Sequence, residues 1–178
     1  SDCHFGIPDY HSSLAREKKF VAWLDMIKAD AAEIYILGDL FDFWFEYKTV
    51  IPKGYTRLLG KLAELTDNGI KIHLFTGNHD MWMFRYFEQE LGIDISRKPV
   101  VKEINGLKIL IGHGDGLGPG DYGYKMIKKI FASKTCQWLY ARLHPNFAMG
   151  LGLFFSRRSR LARGDIDRIY KGDNGERL

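Results

Sequence analysis

Short apolar runs that end in glycine and a cluster of metal-ligating side chains constrain this chain more than any other feature. The run Ile70 to Phe75 leads into Gly77-Asn78-His79-Asp80, which sets an amide, an imidazole and a carboxylate on one short loop. Ile34 to Leu37 leads into Gly38-Asp39-Leu40-Phe41-Asp42, and Leu107 to Ile111 into Gly112-His113-Gly114-Asp115. A fourth polar corner, Asp2-Cys3-His4, stands at the start of the chain. Runs this short read as buried strands rather than core helices. Ligand sites in α/β sheets lie where strands end. Four such corners therefore predict one shared metal site.

The text between the corners predicts helices. Leu14 to Ala29 carries Phe20, Val21, Leu24 and Ile27 on one stripe, with Ser13 as the expected N-cap. Tyr55 to Asn68 carries Leu58, Leu59, Leu62 and Leu65, with Gly69 as its stop. Met81 to Leu91 is expected to be helical. Val100 to Ile104 and Leu107 to Ile111 flank Asn105-Gly106, the pair that suits a type I′ hairpin turn. Helices alternating with strands, then a hairpin, predict an α/β layered domain with mixed strands. The aromatic run Phe41 to Phe45 fits either a hydrophobic plug over the sheet edge or a ligand contact.

Charge divides the chain. Residues 1–121 hold 14 Lys+Arg against 18 Asp+Glu, and residues 122–178 hold 12 against 4. The basic part is also apolar. Tyr124 to Leu143 is expected to be one helix broken by Pro145. Asn146 to Phe155 is apolar, and Ser156 to Arg163 is strongly basic. Such a surface suits anionic, partly greasy partners. The expected organisation is a core over 1–120, a helical basic-apolar cap insertion over 121–163, and a segment over 164–178 returning toward the core. Two cysteines, Cys3 and Cys136, make no disulfide framework and predict a reducing compartment. The longest uninterrupted apolar run, Phe147 to Phe155, is shorter than the ~18 residues a membrane span needs.

Asp, His and Asn offer oxygen and imidazole ligands, a set suited to Mn²⁺, Mg²⁺, Fe²⁺ or Zn²⁺. One carboxylate has two oxygens and can hold two ions. Paired ions ~3.5–4 Å apart clamp the attacking and leaving oxygens of a displacement and activate water near neutral pH. Attack at phosphorus is the chemistry such a site serves.

The blocks Asp2-x-His4, Gly38-Asp39-x-x-Asp42, Gly77-Asn78-His79-Asp80 and Gly112-His113-Gly114-Asp115 resemble the successive blocks of the calcineurin-like metallophosphoesterases. The resemblance implies a layered α/β/β/α sandwich with a helical cap insertion. The family pattern ends in a further Gly-His-x-His block, which this sequence lacks. Both that block and a first strand before Asp2 are expected to lie outside the given residues.

Tyr35 to Trp44, then His113-Gly114-Asp115 leading to Asp121 and Tyr124, then the basic insertion with Ser156-Arg157-Arg158-Ser159, is similar to one branch of that family. That branch is the UDP-2,3-diacylglucosamine pyrophosphohydrolases of lipid A biosynthesis. Known members carry arginine at the position of His79, where histidine is usual in the wider family. The resemblance implies two divalent metal ions, most often Mn²⁺. Asp2 and His4 would bind the first, Asp39 would bridge both, and Asn78 and His113 would bind the second. His79, oriented by Asp80, would donate to a phosphoryl oxygen or protonate the leaving group. Asp121, Tyr124, Arg157, Ser159 and Arg163 are the candidate contacts to the nucleotide-sugar head group. Trp138, Leu139, Leu143, Phe147, Leu153 and Phe154 would receive acyl chains, or pack the insertion on the core.

The expected activity is hydrolysis of the pyrophosphate of a UDP-diacylglucosamine-type lipid to UMP and a diacylglucosamine 1-phosphate. The protein would be cytoplasmic and peripheral on the inner membrane, with no nucleic-acid partner. Two other readings fit parts of the sequence. One is a soluble phosphodiesterase or phosphatase of another substrate; the other is a non-enzymatic basic module for a membrane surface.

Overall fold

The chain is represented by a computed structural model describing residues 2–115 and 122–169, with the backbone alone at Tyr124 and over 161–169. It divides into two units, Ser1–Asp115 and Gly116–Leu178.

The first unit is built on a parallel sheet of β1 (Glu33–Ile36), β2 (Lys71–Phe75) and β3 (Asp94–Ser96), in that order. Ile34 pairs with Ile72 and Ile36 with Leu74, so the apolar residues of neighbouring strands share one register. Helices α1 (Tyr10–Ile27), α2 (Thr56–Asp67) and α3 (Tyr86–Leu91), with loop residues such as Phe5, Leu40 and Met83, supply the rest of the core. Leu24, Leu58, Leu62 and Leu65 are buried with Ile34, Ile36, Ile72 and Leu74. The hairpin β4 (Val100–Ile104) and β5 (Leu107–Ile111) forms a separate antiparallel sheet. Its turn residues Asn105 and Gly106 have φ of 52° and 79°, as a type I′ turn requires. The α/β class is as expected, and the described strands fall into these two sheets.

Several local expectations change. α1 starts earlier, because Asp9 rather than Ser13 is its N-cap, accepting from the Ser12 N–H at 3.0 Å. The helix expected from Met81 begins only at Tyr86. Trp82 instead makes a β-bridge with Phe45, and its carbonyl accepts from the Glu46 N–H at 3.1 Å. The buried Glu46 carboxylate then accepts from the Arg85 and Tyr86 N–H groups at 2.7 and 3.1 Å, fixing the start of α3. The aromatic run is a plug: Phe41, Trp44 and Phe45 are fully buried, and Trp44 packs 5.2 Å from Phe87.

The second unit holds α4 (Tyr122–Phe131), α5 (Lys134–Tyr140) and α6 (Pro145–Ile169). The single helix expected over 124–143 is thus two. Ser133 interrupts it as an extended N-cap whose hydroxyl accepts from the Cys136 N–H at 3.2 Å. Pro145 opens α6, a position where its missing N–H is harmless. α6 runs through Gly164 to Ile169, past the point where a return segment was expected to begin. A single glycine costs a helix only about 1 kcal/mol. Tyr122, Met126 and Ile130 on α4, Trp138 and Leu139 on α5, and Phe147, Phe154 and Phe155 on α6 are exposed. The Arg142 guanidinium lies 4.7 Å over the Trp138 ring.

Candidate metal centre

Three loops of the first unit meet because glycine lets them. A Cβ on Gly77 would sit 2.5 Å from the Asp39 nitrogen, and one on Gly38 would sit 2.8 Å from the Gly77 nitrogen and 2.9 Å from His113 Nδ1. The ends of β1 and β2 thus approach more closely than any side chain at these positions allows. Residues 2–5 run beside the β1 end: the Asp2, His4 and Phe5 N–H groups donate to the Gly38, Asp39 and Leu40 carbonyls at 3.2, 3.0 and 3.0 Å.

Asp39 is the centre of the cluster. It is 2% exposed, and its Oδ1 accepts from the His79 backbone N–H at 2.9 Å. Its Oδ2 lies 3.6 Å from His4 Nε2 and 3.4 Å from His113 Nε2. Asp2 Oδ1 is 4.0 Å from His4 Nε2, and Asn78 Oδ1 is 3.4 Å from His113 Nε2. The structure therefore brings together Asp2, His4, Asp39, Asn78 and His113. Ligand atoms here form two adjacent groups with no shared member, Asp2 with Asp39 and His113, and His4 with Asp42 and His79, each within 4.8 Å; Asp39 Oδ2 at 3.6 Å from His4 Nε2 links the two.

Backbone strain concentrates here. Among the described residues, five non-glycine positions have positive φ, and three of them are Asp2, His4 and Asp39, at 54°, 43° and 49°. Strain of this kind persists where surrounding structure over-determines it, typically at functional sites. Buried His4 Nδ1 has no hydrogen-bond partner, although Asp42 Oδ1 is 3.5 Å away. Imidazole and carboxylate donors with unused lone pairs, gathered in this way, fit divalent cations.

The electrostatics follow from burial and crowding. Burial pushes the Asp39 carboxyl up, but the His113 hydrogen bond, the His79 N–H and the nearby imidazoles outweigh it and hold it below its ordinary range. Burial lowers the His113 ring, yet the adjoining Asp39 carboxylate raises it to about 9. In the metal-free protein the pair thus favours the imidazolium of His113 beside the Asp39 carboxylate, and a cation must displace that proton. Burial, helped by the charges of Asp2 and Asp80 and opposed by Arg16, raises the Cys3 thiol, so it stays protonated between two candidate ligands.

The two residues expected to act on the leaving group are arranged differently from that expectation. Asp80 accepts from the N–H groups of Gly77 at 2.7 Å, Leu40 at 2.8 Å and Phe41 at 3.3 Å. It clamps the two loops together and holds the loop that carries His79 rather than the ring itself. Burial, then the charge of Asp39, raises its carboxyl to about 6 against those three hydrogen bonds. The His79 ring is set by the Asp42 carbonyl, 3.0 Å from Nδ1. A carbonyl only accepts, so Nδ1 carries the proton and Nε2 is bare in the neutral ring. Burial lowers the His79 ring, so donation from Nε2 requires an imidazolium stabilised by a bound anion.

Asp42 was named in the motif without a role. It is fully buried and lies 3.5 Å from His4 Nδ1 and 3.9 Å from His79 Nδ1. The Asp-x-x-Asp spacing was its only signal in the sequence. Of the head-group candidates, Asp121 and the side chains of Tyr124 and Arg163 lie outside the described residues, while Arg157 and Ser159 are exposed on α6.

Comparison with known proteins gives the chain's relatives. Three relatives named UDP-2,3-diacylglucosamine hydrolase are similar to the chain. The protein of Porphyromonas gingivalis is 36% identical over 97% of this chain and 69% of its own length. That of Histophilus somni is 33% identical over 78% of this chain and 60% of its own length. That of Aeromonas salmonicida is 31% identical over 77% and 55%. The chain thus spans between about half and two thirds of its relatives. Residues 1–172 match the model of the calcineurin-like phosphoesterases, and the chain belongs to that family.

Proposed function

We propose that the protein hydrolyses the pyrophosphate bond of UDP-2,3-diacylglucosamine, giving UMP and 2,3-diacylglucosamine 1-phosphate, a step of lipid A biosynthesis. The observation that carries the reading is the strained, buried Asp39 between His4 and His113. The names of the relatives support the substrate.

Asp2, His4, Asp39, Asn78 and His113 would hold the two cations, with Mn²⁺ the preferred ion. Bound there, such ions supply Lewis-acid activation of water and neutralise charge on the phosphoryl oxygens. One water adds to one phosphorus as the P–O bond to the bridging oxygen breaks. The bridging oxygen leaves with the second phosphate, and a proton is released to solvent. His79, with Nδ1 tied to the Asp42 carbonyl, presents Nε2 and gains a proton as phosphate charge builds beside it. Asp80 keeps the β1 and β2 loops at the separation this requires.

The exposed apolar residues of α4 to α6 beside Arg157 and Arg158 support a diacylated anionic substrate. They also support residence on the cytoplasmic face of the inner membrane, whose anionic lipids attract basic segments. No helix among the described residues is long and apolar enough to cross a membrane. Asp121, Tyr124, Arg157, Ser159 and Arg163 would contact the head group, as parts of a cap over 121–163.

The test is UMP release from the diacylated substrate by the full-length protein with Mn²⁺. Loss of turnover in Asp39→Ala is expected, and turnover that survives that change rules the mechanism out. Equal turnover of a deacylated analogue would instead favour a soluble phosphodiesterase of another substrate.

A further inference from the structure

His4 is held at a positive φ, which is uncommon for any residue other than glycine. A non-glycine residue at φ 43° needs its neighbours to enforce it. On its N-terminal side the His4 N–H donates to the Asp39 carbonyl at 3.0 Å. On its C-terminal side the restraint comes from α1, through a residue that no motif singles out. Arg16 Nη2 donates to the His4 carbonyl at 3.1 Å and also to the Ile7 carbonyl. Between those two carbonyls, the Gly6 N–H donates to Ser13 Oγ at 2.7 Å, and Tyr55 Oη donates to the Phe5 carbonyl at 3.2 Å. The loop after His4 is thus gripped chiefly by side chains of α1, with Arg16 at both of its ends.

Arg16 is an unusual choice for a loop clamp. Among the described residues it has no carboxylate partner, and its Nε is buried with no hydrogen-bond partner. Its neighbours on α1, Lys18 and Lys19, stand in solvent. A half-buried guanidinium beside a centre built for cations opposes metal binding by its charge. It is retained there for its hydrogen-bond geometry, since the two N–H groups of Nη2 reach two carbonyls at once.

We propose that Arg16 is a positioning residue of the metal centre, fixing the His4 imidazole by clamping the carbonyls of His4 and Ile7. The inference rests on the metal-centre reading above. It acts through the ligand's backbone, as partners outside the ligand shell orient the ligands of other metal sites.

Charge and geometry predict effects of opposite sign, which makes the inference testable without substrate. The full-length protein is titrated with Mn²⁺, following the signal of the free ion by electron paramagnetic resonance, together with its melting temperature. Wild type is expected to take up two ions. Arg16→Met is expected to bind one of them about tenfold more weakly, the lower end of losses seen for such partners. The second ion should stay within twofold, and millimolar guanidinium should restore part of the loss. Lys19→Met, one turn along the same helix and exposed, should bind both ions as wild type does. Unchanged or tighter binding in Arg16→Met overturns the inference, because only the charge then matters. Equal weakening of both ions with a collapsed melting temperature also overturns it, as a purely structural role. Should Arg16→Met fail to fold, Arg16→Gln decides: weaker binding of one ion supports the clamp, and wild-type affinity for both refutes it. A wild type that takes up no Mn²⁺ would bring down the metal-centre reading itself.

Discussion

The loop cluster around Asp39 and the helices α4 to α6 are built on opposite principles. In the cluster, Asp39, Asp42, His79 and Asp80 are buried, with His4 and His113 half-buried beside them. In the helices, aromatic and aliphatic side chains face outward among lysines and arginines. Buried polar groups tolerate few geometries, because each must find a partner or a ligand. That is why the cluster accumulates positive φ values and glycine contacts, and the helices do not. Exposed apolar groups demand no single geometry, only something to cover them. The first region therefore suits a fixed ligand geometry, and the second suits a broad, less specific contact surface.

The contrast is sharpened most by Asp39→Ala. Removing the shared carboxylate should forfeit several kcal/mol of charge stabilisation, on the order of 10³-fold in turnover. Metal content should fall in the same samples, and both are read by activity assay and elemental analysis. Gly77→Ala should come next. Its Cβ would press on the Asp39 backbone, and overpacking of this sort destabilises by about 1–3 kcal/mol. Denaturant unfolding measures it, and a variant as stable as wild type would contradict the close approach.

A pH series separates the regions further. The His113 ring is raised from 6.5 to about 9 in the metal-free protein. Its pair with Asp39 therefore stabilises that form fully below about pH 6.5, and this contribution is lost as pH rises through about 9. A cation must displace that proton, so affinity should rise about tenfold per pH unit up to about pH 9. Calorimetric titration in two buffers checks the proton release. The smallest effect belongs to the helices. Phe154→Ser should change stability by less than about 0.5 kcal/mol, as exposed positions do. It should still slow turnover of diacylated substrate relative to a deacylated analogue. A large loss of stability would mean that this face is already covered.

The sequence made the strand ends legible because each carried a glycine and a chelating side chain at its tip. The hairpin was legible to the residue, since Asn105-Gly106 has few other uses. β3 was not: three residues, Asp94–Ser96, carry no period, and only pairing with β2 makes them a strand. The unwound stretch before Tyr86 was hidden too, because a helical pattern at Met81 to Arg85 lost to a long-range cap from Glu46. Asp80 looked like a partner of its neighbour His79, yet its three hydrogen bonds run to backbone groups, two of them about 40 residues away in the chain. Arg16 had no motif at all. Its importance lies in which carbonyls it reaches, and that is a property of the folded loop.

The central claim is that Asp39 joins two cation sites, with His4 on one side and His113 on the other. Crystals of the full-length protein grown with Mn²⁺, with data collected at the manganese edge, test it directly. The account predicts two anomalous peaks sharing the Asp39 carboxylate, one beside His4 and one beside His113. No peak at Asp39, or peaks bound by other residues, would contradict it.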